Sequence, residues 1–399
     1  MLITEYYQNY LQNNPHPRQL IATDTLPGHA HAKYIIWQKR KLINFAGNDY
    51  LGLAKHPLLI SRSKAYAEKY GVGATASRLV TGNLNLYTAL ENKLAQAIGK
   101  PASLIFSSGF GMNVAVLTAL LDERVLGQKA LVFSDHSCHA SMITGVKHVA
   151  HLRRFQHNNL FHLEKLLQKY QHTQQPKFIL IESTYSMSGD QADLPAIIQL
   201  AKQYNAFLYI DEAHSIGVYD HTGWGLAQPY ANDVDLIMGT FSKALGSYGA
   251  YIACSEKLRE YLINTCRGLI YSTGLSPMNL GAITAGIELL PTLQKERQHI
   301  WSIAAQLRQF FLQQKLNIGT STTHIIPWIF GDAKTAFAAH ALLIDHGFLT
   351  ALIRPPSVAP GQSRLRLCLS AMHNQSDLQA LQRALLAVKN TLGISHNDS

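Results

Sequence analysis

Short aliphatic runs punctuate the chain at Ala130–Ser134, Lys177–Glu182, Phe207–Ile210, Leu236–Gly239 and Ala250–Ala253. Each reads as a buried strand, because the apolar residues run on instead of alternating with polar ones. Most are separated by stretches long enough for a crossover helix, which predicts a largely parallel sheet flanked by helices. Spacing predicts two of those helices. Asp193 caps one whose Leu194, Ile197, Ile198 and Ala201 share a face, with Pro195 in its first turn. Tyr87, Leu90, Leu94 and Ile98 share a face of the other, and Gly99 stops it. Beyond Glu288 the strands thin, and helical patterns near residues 294–316, 334–346 and 375–392 flank short strands. The expected division is an N-terminal segment (1–45), a large α/β domain (46–288) and a smaller C-terminal α/β domain (289–399).

Composition narrows the class. Apolar residues make up 47% of the 399 and charged residues 15%, which excludes a disordered chain. The four cysteines show no C-x-x-C spacing, so neither a disulfide framework nor a thiolate zinc site is expected, and a reducing cytoplasm is the simplest setting. Met1 to Tyr10 lacks the apolar core of a secretion signal, and the uncharged stretch between Arg267 and Glu288 is too polar for a membrane span. The net charge of +10 attracts any polyanion. Its clusters, Lys39-Arg40-Lys41 and Arg153-Arg154, are short, so solvated surface charge is preferred over nucleic-acid binding.

The chemistry concentrates at strand ends. Phe207–Ile210 leads into Asp211-Glu212-Ala213-His214, and ligands bind at the carboxyl ends of such strands. The same four residues mark one helicase class, which also needs a phosphate loop. None exists, since the only Gly-Lys pair, Gly99-Lys100, is followed by Pro101 and preceded by Leu94 where the motif needs glycine. One crossover later, Asp235–Gly239 ends in Thr240-Phe241-Ser242-Lys243. A partly buried lysine at a strand end can serve as a Schiff-base amine. With Asp211 it offers what pyridoxal phosphate needs: an amine for the aldehyde and a carboxylate for the pyridine nitrogen. Asp135, His136, Cys138 and His139 mix metal-ligand types, but no second cluster completes a set, so no metal is expected.

Eight landmarks occur in order along the chain. They are Asn48 to Leu53; Gly71 to Arg78 with Gly82; Ser108-Gly109-Phe110; Asp135 with His139-Ala140-Ser141; Glu182 with Ser186 to Asp190; Asp211 with His214; Thr240 with Lys243; and Tyr271-Ser272-Thr273. Together they resemble the α-oxoamine synthases, a family of fold-type I pyridoxal-phosphate enzymes. The resemblance implies that fold, with a mostly parallel central sheet and a smaller C-terminal domain. It implies that Lys243 holds the cofactor and shuttles a proton, that Asp211 meets the pyridine nitrogen and His214 the phenolic oxygen, and that His139 stacks on the ring. Ser108, Gly109, Phe110 and Thr240 would receive the phosphate, joined by Thr273 from the partner subunit of a homodimer, and Ser186 would sit near the phenolic oxygen.

Ile353-Arg354-Pro355-Pro356-Ser357 resembles the branch that joins L-alanine to a pimeloyl thioester, with pimeloyl-CoA or pimeloyl-acyl-carrier protein as donor. Arg354 would grip the amino-acid carboxylate, assisted by Asn48, with Ser357 beside them. Glycine acyltransferases, makers of acyl-aminoketone signals and a non-catalytic cofactor binder are the alternatives. Two features depart from the family's pattern. Ala359 separates Val358 from Pro360, and Ala74-Thr75-Ala76 replaces a more glycine-rich turn with residues expected to need negative φ.

Overall fold

The computed structural model describes residues 3–13 and 20–394. Strands β1 (Thr23–Asp24), β2 (Tyr34–Trp37) and β3 (Arg40–Asn44) come first in the chain. Seven follow in the large body: β4 (Ala102–Phe106), β5 (Leu131–Asp135), β6 (His151–Phe155), β7 (Lys177–Glu182), β8 (Ala206–Asp211), β9 (Leu236–Thr240) and β10 (Ala250–Cys254). The C-terminal part adds β11 (Ile325–Gly331), β12 (Phe348–Leu349), β13 (Ala351–Ile353) and β14 (Ser363–Cys368).

The central sheet has the order β4-β10-β9-β8-β7-β5-β6. Strands β6, β5, β7, β8 and β9 are parallel, whereas β10 runs antiparallel to both β9 and β4. The reversal follows from length: residues 241–249 are too few for the crossover of a dozen or more that a parallel neighbour requires. Every residue of β4, β5, β9 and β10 is buried, as a sheet covered on both faces demands. The parallel strands bring their carboxyl ends, Asp135, Glu182, Asp211 and Thr240, to one edge.

The expected helices form. Asp193 accepts a hydrogen bond from the Ala196 amide and opens Leu194–Gln203, and Leu86–Ile98 buries Tyr87, Leu90, Leu94 and Ile98 before Gly99 at φ 79°. Helix Pro57–Tyr70 packs against Pro277–Leu289, where a Cβ on Gly281 would stand 2.7 Å from the Arg62 carbonyl oxygen, so only glycine permits the approach. Thr75 corrects one expectation. It adopts φ 57°, the left-handed region, where negative φ was anticipated for the 74–76 turn.

C-terminal helices Gln294–Gln313, Ala333–Asp345 and Gln375–Thr391 surround the sheet β11-β14-β13, and the chain beyond Val358 rejoins that sheet at Ser363, opposite Gly331. The remaining sheet is β1-β2-β3-β12, in which Ile43 and Asn44 of β3 pair in parallel with Phe348 and Leu349. The start of the chain is therefore hydrogen-bonded to its C-terminal part. Of the N-terminal stretch, Ile3–Gln12 is helical, and residues 1 and 2 lie outside the described part. Among the described residues no helix is long and apolar enough to cross a membrane.

Candidate active site

At the carboxyl edge of the central sheet a cavity of about 240 Å³ is lined by Ser108, Gly109, Phe110, His139, Asp211, His214, Thr240 and Lys243, eight residues singled out from sequence. Asp211 ends β8, and its carboxylate is held from two sides. Oδ1 accepts from the Ala213 amide at 2.9 Å, and Oδ2 accepts from Asn113 Nδ2 at 3.1 Å. Asn113 is itself fixed, because the buried Tyr209 hydroxyl donates to its Oδ1 at 2.5 Å. Lys243 stands in the tight turn after β9, where the Gly246 amide donates to its carbonyl. Burial pulls its ammonium down to about 8, against the opposing pull of Asp211 and Glu182 and with help from Arg366.

His214 is buried, and its Nδ1 lies 2.6 Å from the Tyr50 hydroxyl. Burial first, then the cations Lys243 and Arg366, drive its pKa well below the ordinary range, so the imidazole is neutral. Ser108 caps helix Gly109–Leu120, its Oγ accepting from the Gly111 amide at 3.1 Å. The N-terminus of that helix lines the cavity together with Thr240, whose hydroxyl donates to the Gly249 carbonyl at 2.9 Å, and amides at such a terminus can receive an anion. His139 caps helix Ala140–Val146, with Nδ1 2.7 Å from Ser141 Oγ and its ring edge-on to Phe110.

Glu182 ends β7 in register with Asp211 and lines the same cavity. Its Oε2 accepts from the Ser186 amide at 3.3 Å, and its Oε1 has no partner. Burial and then the Asp211 charge push this carboxyl up to about 8, with Lys243 opposing. Glu182 is one of the sequence landmarks, yet nothing in its sequence surroundings indicates a role for it.

The other expected residues lie elsewhere. Asn48 and Ser186 are gathered by Arg366, whose Nη2 donates to Asn48 Oδ1 at 3.1 Å and whose Nη1 donates to the Ser186 carbonyl at 3.4 Å. Arg354 places its guanidinium over the Phe337 ring, 5.5 Å from the centroid, and Ser357 is exposed on the turn that follows. Thr273 bridges to Ser77 and is exposed. Arg366 was missed in the sequence, although β14 carries a signal. Arg364 and Arg366 alternate with leucines along a strand buried at every position, and a buried guanidinium asks for a partner. Asn113 and Tyr209 carried no comparable signal, since their partners are distant in sequence.

The arrangement sets an amine of lowered pKa beside a fixed carboxylate, a neutral imidazole and an anion corner. This set fits pyridoxal phosphate group by group: amine to aldehyde, carboxylate to pyridine nitrogen, helix N-terminus to phosphate. Asp135 and Cys138 are committed elsewhere, Cys138 to the Leu180 carbonyl and Asp135 to His157, and among the described residues no group of three His, Cys, Asp or Glu side chains is placed to hold a metal ion.

Residues 40–385 match the family model described as aminotransferase class I and II. The 8-amino-7-oxononanoate synthase of Gluconacetobacter diazotrophicus is 44% identical over 348 residues, covering 86% of this chain and 87% of its own. A serine palmitoyltransferase from S. paucimobilis, solved with bound pyridoxal phosphate and myriocin, superposes with a TM-score of 0.89 at 25% identity and covers 98% of each chain. The 8-amino-7-oxononanoate synthase of Francisella tularensis superposes with a TM-score of 0.74 at 26% identity, covering 88% of this chain and 98% of its own.

Proposed function

The chain belongs to the class I and II aminotransferase family, as an α-oxoamine synthase of fold type I, and from that premise we propose that it is an 8-amino-7-oxononanoate synthase of biotin biosynthesis. The observation that carries this reading is the pairing of Lys243 with Asp211 in one cavity, in a chain 44% identical to a synthase of that name. The reaction joins L-alanine to pimeloyl-CoA or pimeloyl-acyl-carrier protein, releasing a thiol and carbon dioxide.

Pyridoxal phosphate, when bound, supplies an aldehyde that takes the amine of alanine and a protonated pyridine ring that draws electrons from its Cα. Asp211 keeps that nitrogen protonated, and Asn113 and the Ala213 amide hold its carboxylate in place. His214, neutral and anchored on Tyr50, would hold the phenolic oxygen, with Ser186 from the neighbouring loop, and His139 would stack on the ring. Ser108, Gly109, Phe110 and Thr240, which line the cavity, would take the phosphate.

With its pKa near 8, Lys243 has a substantial neutral fraction at physiological pH, so its amine can accept the Cα proton and later return one. The new bond forms between alanine Cα and the thioester carbonyl carbon. The thiolate leaves with a proton, and loss of the alanine carboxyl as carbon dioxide follows. Arg366 with Asn48, and Arg354 with Ser357, are the candidates for holding that carboxylate.

Residues 46–288 are assigned to the cofactor-binding domain and 289–399 to the smaller one, with 1–45 as the N-terminal segment. A homodimer is part of the reading, since Thr273 of the partner subunit would complete the phosphate corner. Four unpaired cysteines support a cytoplasmic setting. The test is product identification by mass spectrometry after incubation with pimeloyl-CoA or pimeloyl-acyl-carrier protein and either alanine or glycine. The expected product is 8-amino-7-oxononanoate, formed from alanine; turnover of glycine alone would keep the family and discard the synthase reading.

A further inference from the structure

Outside the cavity, the structure gathers a second charged cluster, half-buried at its centre. Its centre is His157, in the loop after β6. Nδ1 lies 2.9 Å from Asp135 Oδ1, and Nε2 lies 2.9 Å from Asp190 Oδ2. Both carboxylates are buried. Asp135 Oδ1 also accepts from the Ser137 amide at 2.7 Å, just before His139. Asp190 closes the loop that carries Ser186, and it accepts from Ser188 at 2.5 Å and from Thr320 of the C-terminal part at 2.8 Å. That loop is stitched to the C-terminal part a second time, because the Thr322 and Thr323 amides both donate to the Gly189 carbonyl. A Cβ on Gly189 would stand 1.9 Å from the Ile325 carbonyl oxygen, so the seam admits no side chain there.

We propose that His157 is a positioning residue: as an imidazolium between Asp135 and Asp190, it clamps the segment carrying His139 to the loop carrying Ser186 and ties both to the C-terminal part. The proposal rests on the reading of His139 and Ser186 as cofactor neighbours. On the inner side Glu182 accepts from the Ser186 amide and lines the cavity together with His139, so the clamp and Glu182 stand on opposite ends of the same loop. The two carboxylates outweigh burial and raise the imidazole to about 10, and Tyr185 faces it edge-on at 4.5 Å.

The experiment measures the dissociation constant of pyridoxal phosphate by absorbance for the wild type, His157→Gln and the double variant His157→Gln/Asp190→Asn, with melting temperature alongside. His157→Gln leaves two carboxylates facing each other, so binding is expected to weaken at least tenfold, and the double variant to recover most of that loss. Unchanged binding in a His157→Gln protein that merely melts earlier would reduce the cluster to scaffolding and overturn the proposal. Failure of the wild type to bind at all would instead strike the cofactor reading. Should neither variant fold, ¹⁵N-histidine spectra of the wild type decide: a ring still protonated at pH 8.5 supports the clamp, and a neutral one overturns it.

Discussion

Glu182→Gln swaps a buried carboxyl for a neutral amide of the same shape, and the outcome depends on pH in a way the structure fixes. The carboxyl is raised from 4.5 to about 8. The folded protein therefore prefers the protonated form, while an unfolded chain ionises freely above about 4.5. For an acid raised on folding, the stabilising contribution is complete below the unfolded value and is lost progressively up to the folded one. Between pH 5 and pH 9 the wild type should accordingly lose stability relative to the variant by up to about 4 kcal/mol, at about 1.4 kcal/mol per unit. The opposing pull of the Lys243 cation is already contained in that value. At roughly 1 °C per kcal/mol for a chain of this length, the melting-temperature gap should widen by about 2–4 °C. Thermal melts of the cofactor-free proteins at pH 5, 7 and 9 read it directly. Parallel curves would mean that Glu182 stays ionised in the fold, and would refute the claim that burial dominates its environment.

Three further outcomes are expected. Lys243→Ala should abolish turnover while leaving phosphate-anchored binding of pyridoxal phosphate detectable by equilibrium dialysis; residual turnover at wild-type rate would remove the lysine from its role. Tyr50→Phe deletes the hydroxyl shared by His214 and Asn48, and should lower kcat/KM by about tenfold, in line with about 1–2 kcal/mol for a buried hydrogen bond. Arg366→Lys cannot reproduce the fork to Asn48 and Ser186, so its KM for alanine should rise more than that of Arg354→Ala; the reverse order, read by steady-state kinetics, would return the carboxylate to Arg354.

The parts of this site that were legible in the sequence share one property: each lies where a buried run ends in a polar residue. Asp211 with His214, and Thr240 with Lys243, announce themselves because a strand gives a direction and its carboxyl end a location. Their supports are silent. Tyr50 stands 164 residues from His214 and Asn113 stands 98 from Asp211, so only the closed fold brings them together. Lys177–Glu182 was read as a strand with its bounds intact, whereas β4 and β6 went unread, β6 because Arg153 and Arg154 break its apolar run. At Thr75 a local rule failed, since a backbone preference of the kind that disfavours positive φ is small enough for surrounding contacts to override.

The parallel pairing of β3 with β12 also governs the order in which the protein can be completed. On the ribosome β3 emerges early, but its partner follows about 300 residues later, some 15–60 s at ordinary synthesis rates of about 5–20 residues per second. Through that interval the edge of β3 waits unpaired while the central sheet can already assemble, and an unpaired edge is where chains join wrongly. A nascent chain stalled after Cys254 but before Phe348 would hold every residue that lines the cavity and still lack the strand that closes its margin.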